Sequence, residues 1–281
     1  MIRPWITLTT DFGSSFYVGQ MKGCLARLIP HAQVIDITHA ITPQNIVEGA
    51  IVLQDSIPHF PEGSIHIAVV DPGVGTSRAL VAAQIGPWIL IGPDNGLLSA
   101  IASDWPVGQI VKLTNSRLWN STVSPTFHGR DIMVPVAATI AGGVSLSELG
   151  EPQCGLAPSP ISPIQVLAKK VLGMTVSSDS FGNLLTNIRG RELNALGRTM
   201  SSADSVTIQW IDKGIENRRK LPWIRTYGER PPGTLVAIVG SSDRMEIGVV
   251  GGNAKELFEN ERPTVQIRLA TTEEDVDTIL P

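Results

Sequence analysis

Three short segments place ionisable side chains on or beside glycine-containing turns, where loops on a rigid scaffold commonly hold chemistry. Val-Val-Asp-Pro-Gly-Val-Gly at 69–75 carries Asp71, with Arg78 three residues past its end. Thr-Phe-His-Gly-Arg-Asp at 126–131 carries His128 between an aromatic residue and a glycine. Thr-Thr-Asp-Phe-Gly at 9–13 places Asp11 directly after a hydrophobic run. A carboxylate, a guanidinium and an imidazole brought together can hold a water molecule and move its proton. Each residue also has a plain structural reading. Asp71 is a usual turn former before proline, Arg78 a surface cation, His128 a satisfied core histidine, and Asp11 a cap for the helix that follows it.

The second half of the chain offers two further groups. In Asp-Ser-Phe-Gly-Asn at 179–183, the Asn183 side chain can pair with the edge of a base, Asp179 can hold an ammonium, and Phe181 can cover a ring. The same residues are also those of an ordinary β-turn. Ser241-Ser242, followed by Met245-Glu246-Ile247, adds hydroxyls and a carboxylate on a second turn. Two other glycine-rich readings lose their support: no Gly-x-Gly-x-x-Gly follows the first strand and no Gly-x-x-x-x-Gly-Lys-Ser/Thr occurs. The histidines at 31, 39, 59, 66 and 128 show no paired metal-ligand spacing, so neither a metal nor a resident cofactor is expected.

The elements that must position these residues follow from periodicity. Strands are expected at Trp5–Thr10, Gln33–Thr38, Ser64–Val70, Leu80–Ile85, Trp88–Ile91 and Gln109–Leu113. Phe16, Met21, Leu25, Leu28 and Ile29 recur at helical spacing between the first two. Thr42 and Pro43 supply an N-cap and N1 pair ahead of a second helix, and a third is expected from about Asp131 to Gly142-Gly143. Such alternation predicts a mostly parallel sheet covered by helices, an α/β domain over residues 1–155. Prolines at 152, 158, 160 and 163 mark a boundary. Beyond it, β-like runs at Leu172–Val176, Leu184–Ile188, Val206–Trp210, Trp223–Thr226, Leu235–Val239, Met245–Val250 and Val265–Leu269 predict a smaller antiparallel β domain, barrel or sandwich, over residues 165–281. The acidic tail Glu273–Asp277 is expected to be solvated.

Composition narrows the class. The 281 residues suffice for a large core, and Cys24 and Cys154 offer no disulfide framework, which suits a reducing compartment. With 22 Lys and Arg against 26 Asp and Glu, the basic residues are scattered apart from the run at 218–220, so no nucleic-acid footprint is expected. No apolar run approaches the ~20 residues of a membrane helix, and no leader pattern precedes the first strand. A cytoplasmic protein without membrane partners is the expectation.

Taken together, the segments at 9–13, 69–75, 126–131 and 179–183 resemble the S-adenosylmethionine hydroxide adenosyltransferases, which hydrolyse S-adenosylmethionine to adenosine and methionine. The resemblance runs from Asp11 to about Ala254, with its motifs in order. It implies a catalytic triad of Asp71, Arg78 and His128, with Asp11 on the ribose hydroxyls. It further implies adenosyl and methionyl contacts from Asp179, Phe181 and Asn183, and capture of the methionine carboxylate near Ser241, Ser242 and Glu246. Asp243 departs from the pattern, standing where a glycine is usual. Asp94-Asn95-Gly96 matches a family turn to which a shaping role is assigned. The resemblance also implies a C-terminal barrel and a homotrimer with sites at subunit interfaces.

Two other activities compete. Halogenases of the same superfamily carry an aromatic residue at the position of Asp71 and a tryptophan at that of Gln44; a carboxylate at 71 would repel a halide. A sensor that binds adenosine or S-adenosylmethionine without turnover would not require all three triad residues.

Overall fold

The computed structural model describes residues 4–167, 170–194, 205–212, 215–258 and 264–268, and the chain forms two compact units, Met1–Pro160 and Ile161–Pro281. The first contains β1 (Trp5–Thr10), α1 (Phe16–Leu28), β2 (Gln33–Thr38), α2 (Ile46–Ser56), β3 (Ile65–Val69), β4 (Leu80–Ile85), β5 (Trp88–Pro93), β6 (Val107–Lys112), α3 (Val134–Ala141) and β7 (Glu151–Pro152). The sheet order is β2-β1-β3-β5-β4-β6-β7. β1 runs parallel to β2 and β3, and β3 parallel to β5. β4 is antiparallel to both β5 and β6, so β6 points the same way as β5, and only β4 and β7 of the seven run in reverse.

Both faces of the central strands are covered. Every residue of β3 is buried, as expected for a parallel strand with helices on both sides. Ile6 and Leu8 of β1 and Ile65, Ile67 and Val69 of β3 join Met21 and Leu25 of α1 and Val134, Val136 and Ala137 of α3 in one core. The strand order places β1 between β2 and β3: the first connection runs to one side of β1, and the second crosses back to its other side. A crevice opens at such a switch point beyond the carboxyl ends of the strands.

Two helix starts differ from expectation. α2 begins at Ile46 with Asn45 as its N-cap, whose side chain accepts from Glu48 N, and not at Thr42-Pro43. The intervening Gln44 has φ +65°, which breaks a helix that would otherwise continue from Pro43. The segment beginning near Asp131 opens as a π-helical turn, Gly129–Met133, before α3, a wider winding that single-sequence periodicity does not signal. α3 ends as expected, with Gly142 at the C-cap and Gly143 at φ +95°. The proline-rich stretch after Gly150 first contributes β7, paired with β6, and the division between units falls between Pro160 and Ile161.

The second unit contains β8 (Gln165–Leu167), β9 (Lys170–Ser178), β10 (Leu184–Arg189), the short α4 (Gly190–Asn194), β11 (Ser205–Asp212), β12 (Ile215–Pro222), β13 (Leu235–Val239), β14 (Arg244–Val249) and β15 (Thr264–Arg268). An antiparallel sheet runs β13-β14-β10-β9-β15, with β8 also on β9, while β11 and β12 form a hairpin. β11 lies beside β15 and β12 beside β13. Val171, Leu184, Ile188, Leu221, Trp223, Leu235, Met245 and Ile247 pack in its core.

The run Trp223–Thr226 is not a strand: Trp223 makes one isolated bridge to Ala237, and the chain then turns toward a short 3-10 turn at Tyr227–Glu229. The strand there is β12, whose Arg218, Arg219 and Lys220 are exposed. Its pairing with β11 depends on backbone groups, so alternation of apolar side chains does not announce it. Leu269 and the acidic tail lie outside the described residues. Among the described residues no helix is long and apolar enough to cross a membrane.

Candidate functional site

Asp71 emerges just after β3, at the carboxyl end of the sheet beside the β1/β3 switch point. Asn95 Nδ2 donates to Val70 O at 2.9 Å and so holds the end of the strand from which Asp71 projects. Its neighbour Asp94 accepts from Ala157 N at 2.7 Å and from Gln153 Nε2 at 2.8 Å, tying the 153–157 segment to the same turn. Gly75 has φ +80°, and a Cβ there would stand 3.1 Å from Pro125 O. The glycine therefore lets the 71–75 turn approach the loop leading to His128.

These turns bring Asp71, Arg78 and His128 into one hydrogen-bonded group. Arg78 Nε donates to Asp71 Oδ1 and Oδ2, both at 2.9 Å, and Arg78 Nη2 donates to Oδ2 at 2.5 Å. The two side chains are 11% and 5% exposed, so the ion pair is largely shielded from solvent. Arg78 Nη2 also lies 2.9 Å from His128 Nδ1. A guanidinium can only donate, so Nδ1 must present its lone pair and the ring proton belongs on Nε2. His128 is held below its ordinary pKa, first by burial and then by the Arg78 charge, against weaker opposing effects of Asp71 and Asp131.

Asp131, three residues after His128, is 2% exposed. Its carboxylate accepts from Ser124 N at 2.9 Å, Asn120 Nδ2 at 3.0 Å and both Nε and Nη2 of Arg130 at 2.7 Å. Burial opposes the charge on Asp131, but hydrogen bonds from Arg130, Ser124 N and Asn120 outweigh it and keep the carboxyl below its usual range. Gly129 lets the π turn lie directly on β3, since a Cβ there would be 3.3 Å from Val69 Cγ2.

Asp11 leaves the carboxyl end of β1, on the other side of the switch point. It does not cap α1, where Ser15 holds the N-cap position. Asp11 Oδ2 instead accepts from Gln44 N at 2.7 Å. Oδ1 takes no hydrogen bond from the described residues, which leaves acceptor capacity for a ligand. The adjoining Phe12, Tyr17 and Phe127 rings pack edge to face at 5.3–5.8 Å.

The second unit assembles its own polar group. Asp179 Oδ1 accepts from Phe181 N at 2.9 Å and Asn183 N at 2.8 Å, and Oδ2 accepts from Asn183 Nδ2 at 2.9 Å. The carboxylate thus shapes the turn and fixes the Asn183 amide, while Phe181 projects outward, 77% exposed. Glu246 on β14 lies against Gly240, where any Cβ would overlap its carboxylate, and Gly240 leads into the exposed Ser241-Ser242 turn. Asp243 keeps the left-handed backbone of a glycine, φ +57°, and its carbonyl accepts from Gly190 N at 2.9 Å.

Sequence reasoning passed over Tyr227. A Cβ at Gly248 would stand 3.0 Å from Tyr227 Oη and 2.7 Å from Asn183 Oδ1, which puts the phenol and the amide side by side over that glycine. Burial, then the charges of Glu246 and Asp179, push the Tyr227 hydroxyl up to about 12. An isolated glycine inside a strand pattern was the available signal, since it marks a close approach. Among the described residues no three His, Cys, Asp or Glu side chains gather as a metal-ion site.

Fold and site together define an open α/β protein with a shielded Asp–Arg–His group at its switch point, joined in one chain to an antiparallel β unit. The SAM hydroxide adenosyltransferase N-terminal domain matches residues 6–150, and the C-terminal domain of the same name matches residues 173–264. The chain belongs to the SAM hydroxide adenosyltransferase family. It is 37% identical over 260 residues to an (R)-S-adenosyl-L-methionine hydrolase of Salinispora tropica, covering 91% of this chain and 94% of that protein. It is 34% identical over 270 residues to one of Thermus thermophilus, covering 91% and 95%. A fluorinase of Actinoplanes sp. is more distant, 27% identical over 226 residues, 69% of this chain and 75% of that protein. Among solved structures, an uncharacterized conserved protein from Thermotoga maritima superposes with a TM-score of 0.84 at 30% identity, covering 94% of this chain and all of that one. A conserved hypothetical protein from Thermus thermophilus gives 0.74 at 32% identity, covering 96% and 100%.

Proposed function

We propose that this protein hydrolyses S-adenosyl-L-methionine to adenosine and L-methionine by attack of water at the 5′ carbon. The carrying observation is the Asp71–Arg78–His128 group itself. Its one carboxylate retains a lone pair on Oδ1 after receiving Arg78, whereas His128 Nδ1 is already occupied by Arg78. Asp71 is therefore the proton acceptor of the three, and His128 Nε2–H is a donor that helps to orient the nucleophile. The water oxygen bonds to C5′ as the C5′–S bond breaks, the sulfonium becomes a neutral thioether, and the water proton passes to Asp71. Shielding of the pair keeps competing water from the line of attack, and positioning is the larger contribution.

Asp11 binds the ribose hydroxyls through the acceptor capacity that Gln44 N leaves. The C-terminal part, residues 165–281, contributes the adenine and methionine contacts through Asp179, Phe181, Asn183, Ser241, Ser242 and Glu246, with the N-terminal part, 1–155, carrying the triad. The adjacency of β11 to β15 and β12 to β13 supports closure of the C-terminal strands into a barrel. A homotrimer with each site shared between neighbouring subunits, resident in the cytoplasm, completes the reading. A halide substrate is disfavoured by the carboxylate at 71, and the fluorinases are the more distant relatives.

The test is incubation with S-adenosylmethionine, with and without chloride or fluoride, followed by chromatography. Equal amounts of adenosine and methionine, independent of halide, are expected. A halogenated nucleoside, or adenosine binding without turnover, would overturn the hydrolase.

A further inference from the structure

We propose that His39 is a positioning residue for Asp11, acting with its ring through the Thr10 hydroxyl and with its backbone carbonyl through Gly13 N. The proposal rests on the reading of Asp11 as the ribose-binding group. Thr10 closes β1 and is fully buried. Its hydroxyl has one proton to give and accepts from Phe12 N at 3.2 Å. Thr10 Oγ1 lies 2.9 Å from His39 Nδ1, and the Thr10 proton is directed to that nitrogen. Nδ1 is then the unprotonated nitrogen, and Nε2 lies 3.2 Å from Asp36 Oδ1, an ion-pair distance without hydrogen-bond geometry. Lys22 Nζ donates to Asp36 Oδ2 at 2.5 Å.

His39 holds the other end of the same turn with its backbone, because Gly13 N donates to His39 O at 2.7 Å. Asp11 is thus flanked by Thr10 and Phe12, which are joined through the Thr10 hydroxyl, and the following Gly13 N is held by His39 O. The register of β1 on β2 shows how His39 arrives there. Leu8 pairs with Asp36 but Thr9 pairs with Thr38, so Ile37 is an extra residue in β2. A bulge of this kind re-aims the side chains that follow it. An aliphatic residue at 39 could fill the space but could not accept the Thr10 proton.

The experiment compares His39→Ala, His39→Asn, Thr10→Val and Asp11→Ala for adenosine affinity by calorimetry and for turnover of S-adenosylmethionine, with nitrogen-15 NMR of the His39 ring in the unaltered protein. His39→Ala and Thr10→Val are expected to weaken adenosine about tenfold, the worth of one hydrogen bond, with the loss falling on KM more than on kcat. His39→Asn, whose Oδ1 can accept in place of Nδ1, is expected to recover most of it. The double variant Thr10→Val/His39→Ala should be no worse than the poorer single one, since both break the same link. The ring should show Nε2 protonated and Nδ1 as acceptor. If Asp11→Ala weakens binding while His39→Ala and Thr10→Val do not, or if asparagine rescues no better than alanine, the positioning role is overturned. A proton on Nδ1 overturns it independently of any ligand. Unchanged affinity in Asp11→Ala removes the ribose assignment itself, and the positioning role with it.

Discussion

Arg78 decides what its two neighbours can do. Its guanidinium donates to Asp71 and to His128 Nδ1, so one residue sets both the carboxylate's orientation and the imidazole's tautomer. Asp71→Asn keeps the shape but removes the acceptor, and turnover should fall by about 10² to 10⁴, the usual worth of a positioned acid-base group. Adenosine affinity should change little; equal losses in both would contradict the proposed role. His128 provides a test of opposite signs. Its pKa should lie below the ordinary value of about 6.5, move up in Arg78→Met, and move further down in Asp71→Asn, because the Arg78 charge lowers it and Asp71 raises it. Histidine proton resonances followed through a pH titration would show this. The neutral form favoured by the fold contributes stability in full above the unfolded value, and that contribution is lost as pH falls through the lowered folded one. Activity should therefore fall on the acid side with the same lowered midpoint.

At the scale of elements, the turns carry more of the site than the strands do. The Ser241-Ser242 turn ends in Asp243 at φ +57°, a conformation that aspartate tolerates and β-branched residues do not. Asp243→Gly should leave the melting temperature nearly unchanged. Asp243→Val should destabilise the protein by about 1–2 kcal/mol, the cost of a left-handed residue. If valine and glycine melt alike, the backbone there is not held left-handed. Gln44 shows the same economy elsewhere: its φ of +65° delays the start of α2 to Ile46, and its backbone N–H is thereby free to donate to Asp11.

For the molecule as a whole, acid stability should be governed in part by a residue outside the site. His66 on β3 is fully buried, receives one contact from Thr7 Oγ1 at 2.8 Å, and is pushed down to about 3 by burial. The unfolded chain binds a proton there near the ordinary histidine value, while the fold refuses it until far lower pH. Stability from neutral His66 is thus complete above about pH 6.5 and drains away toward pH 3, on the order of 3 kcal/mol by pH 4. His66→Gln should flatten the pH dependence of the urea-unfolding free energy across that window; an unchanged slope would assign the acid lability elsewhere. Sedimentation should find a trimer, and a stable, fully active monomer would remove the shared-site arrangement.

Composition and periodicity along the chain are enough to read β1 to β6, α1, the end of α3 and most second-unit strands, because burying a strand or a helix face leaves a local apolar pattern. The glycine-bearing turns at 9–13, 69–75, 126–131 and 179–183 are legible for a related reason: positive φ and close approach restrict residue type locally. What only the tertiary structure decided depends on groups distant in sequence. The start of α2 escapes a local reading because Thr42-Pro43 is a valid local cap, and what supersedes it is a left-handed Gln44 whose N–H meets a carboxylate 33 residues away. β12 escapes it because backbone pairing with β11 needs no apolar alternation, and Tyr227 because its place beside Asn183 and Gly248 is set by the folding of separate strands. The tautomer of His128 belongs to the same category. Residue type permits either ring nitrogen to carry the proton, and only the neighbour that folding places at hydrogen-bonding distance selects one.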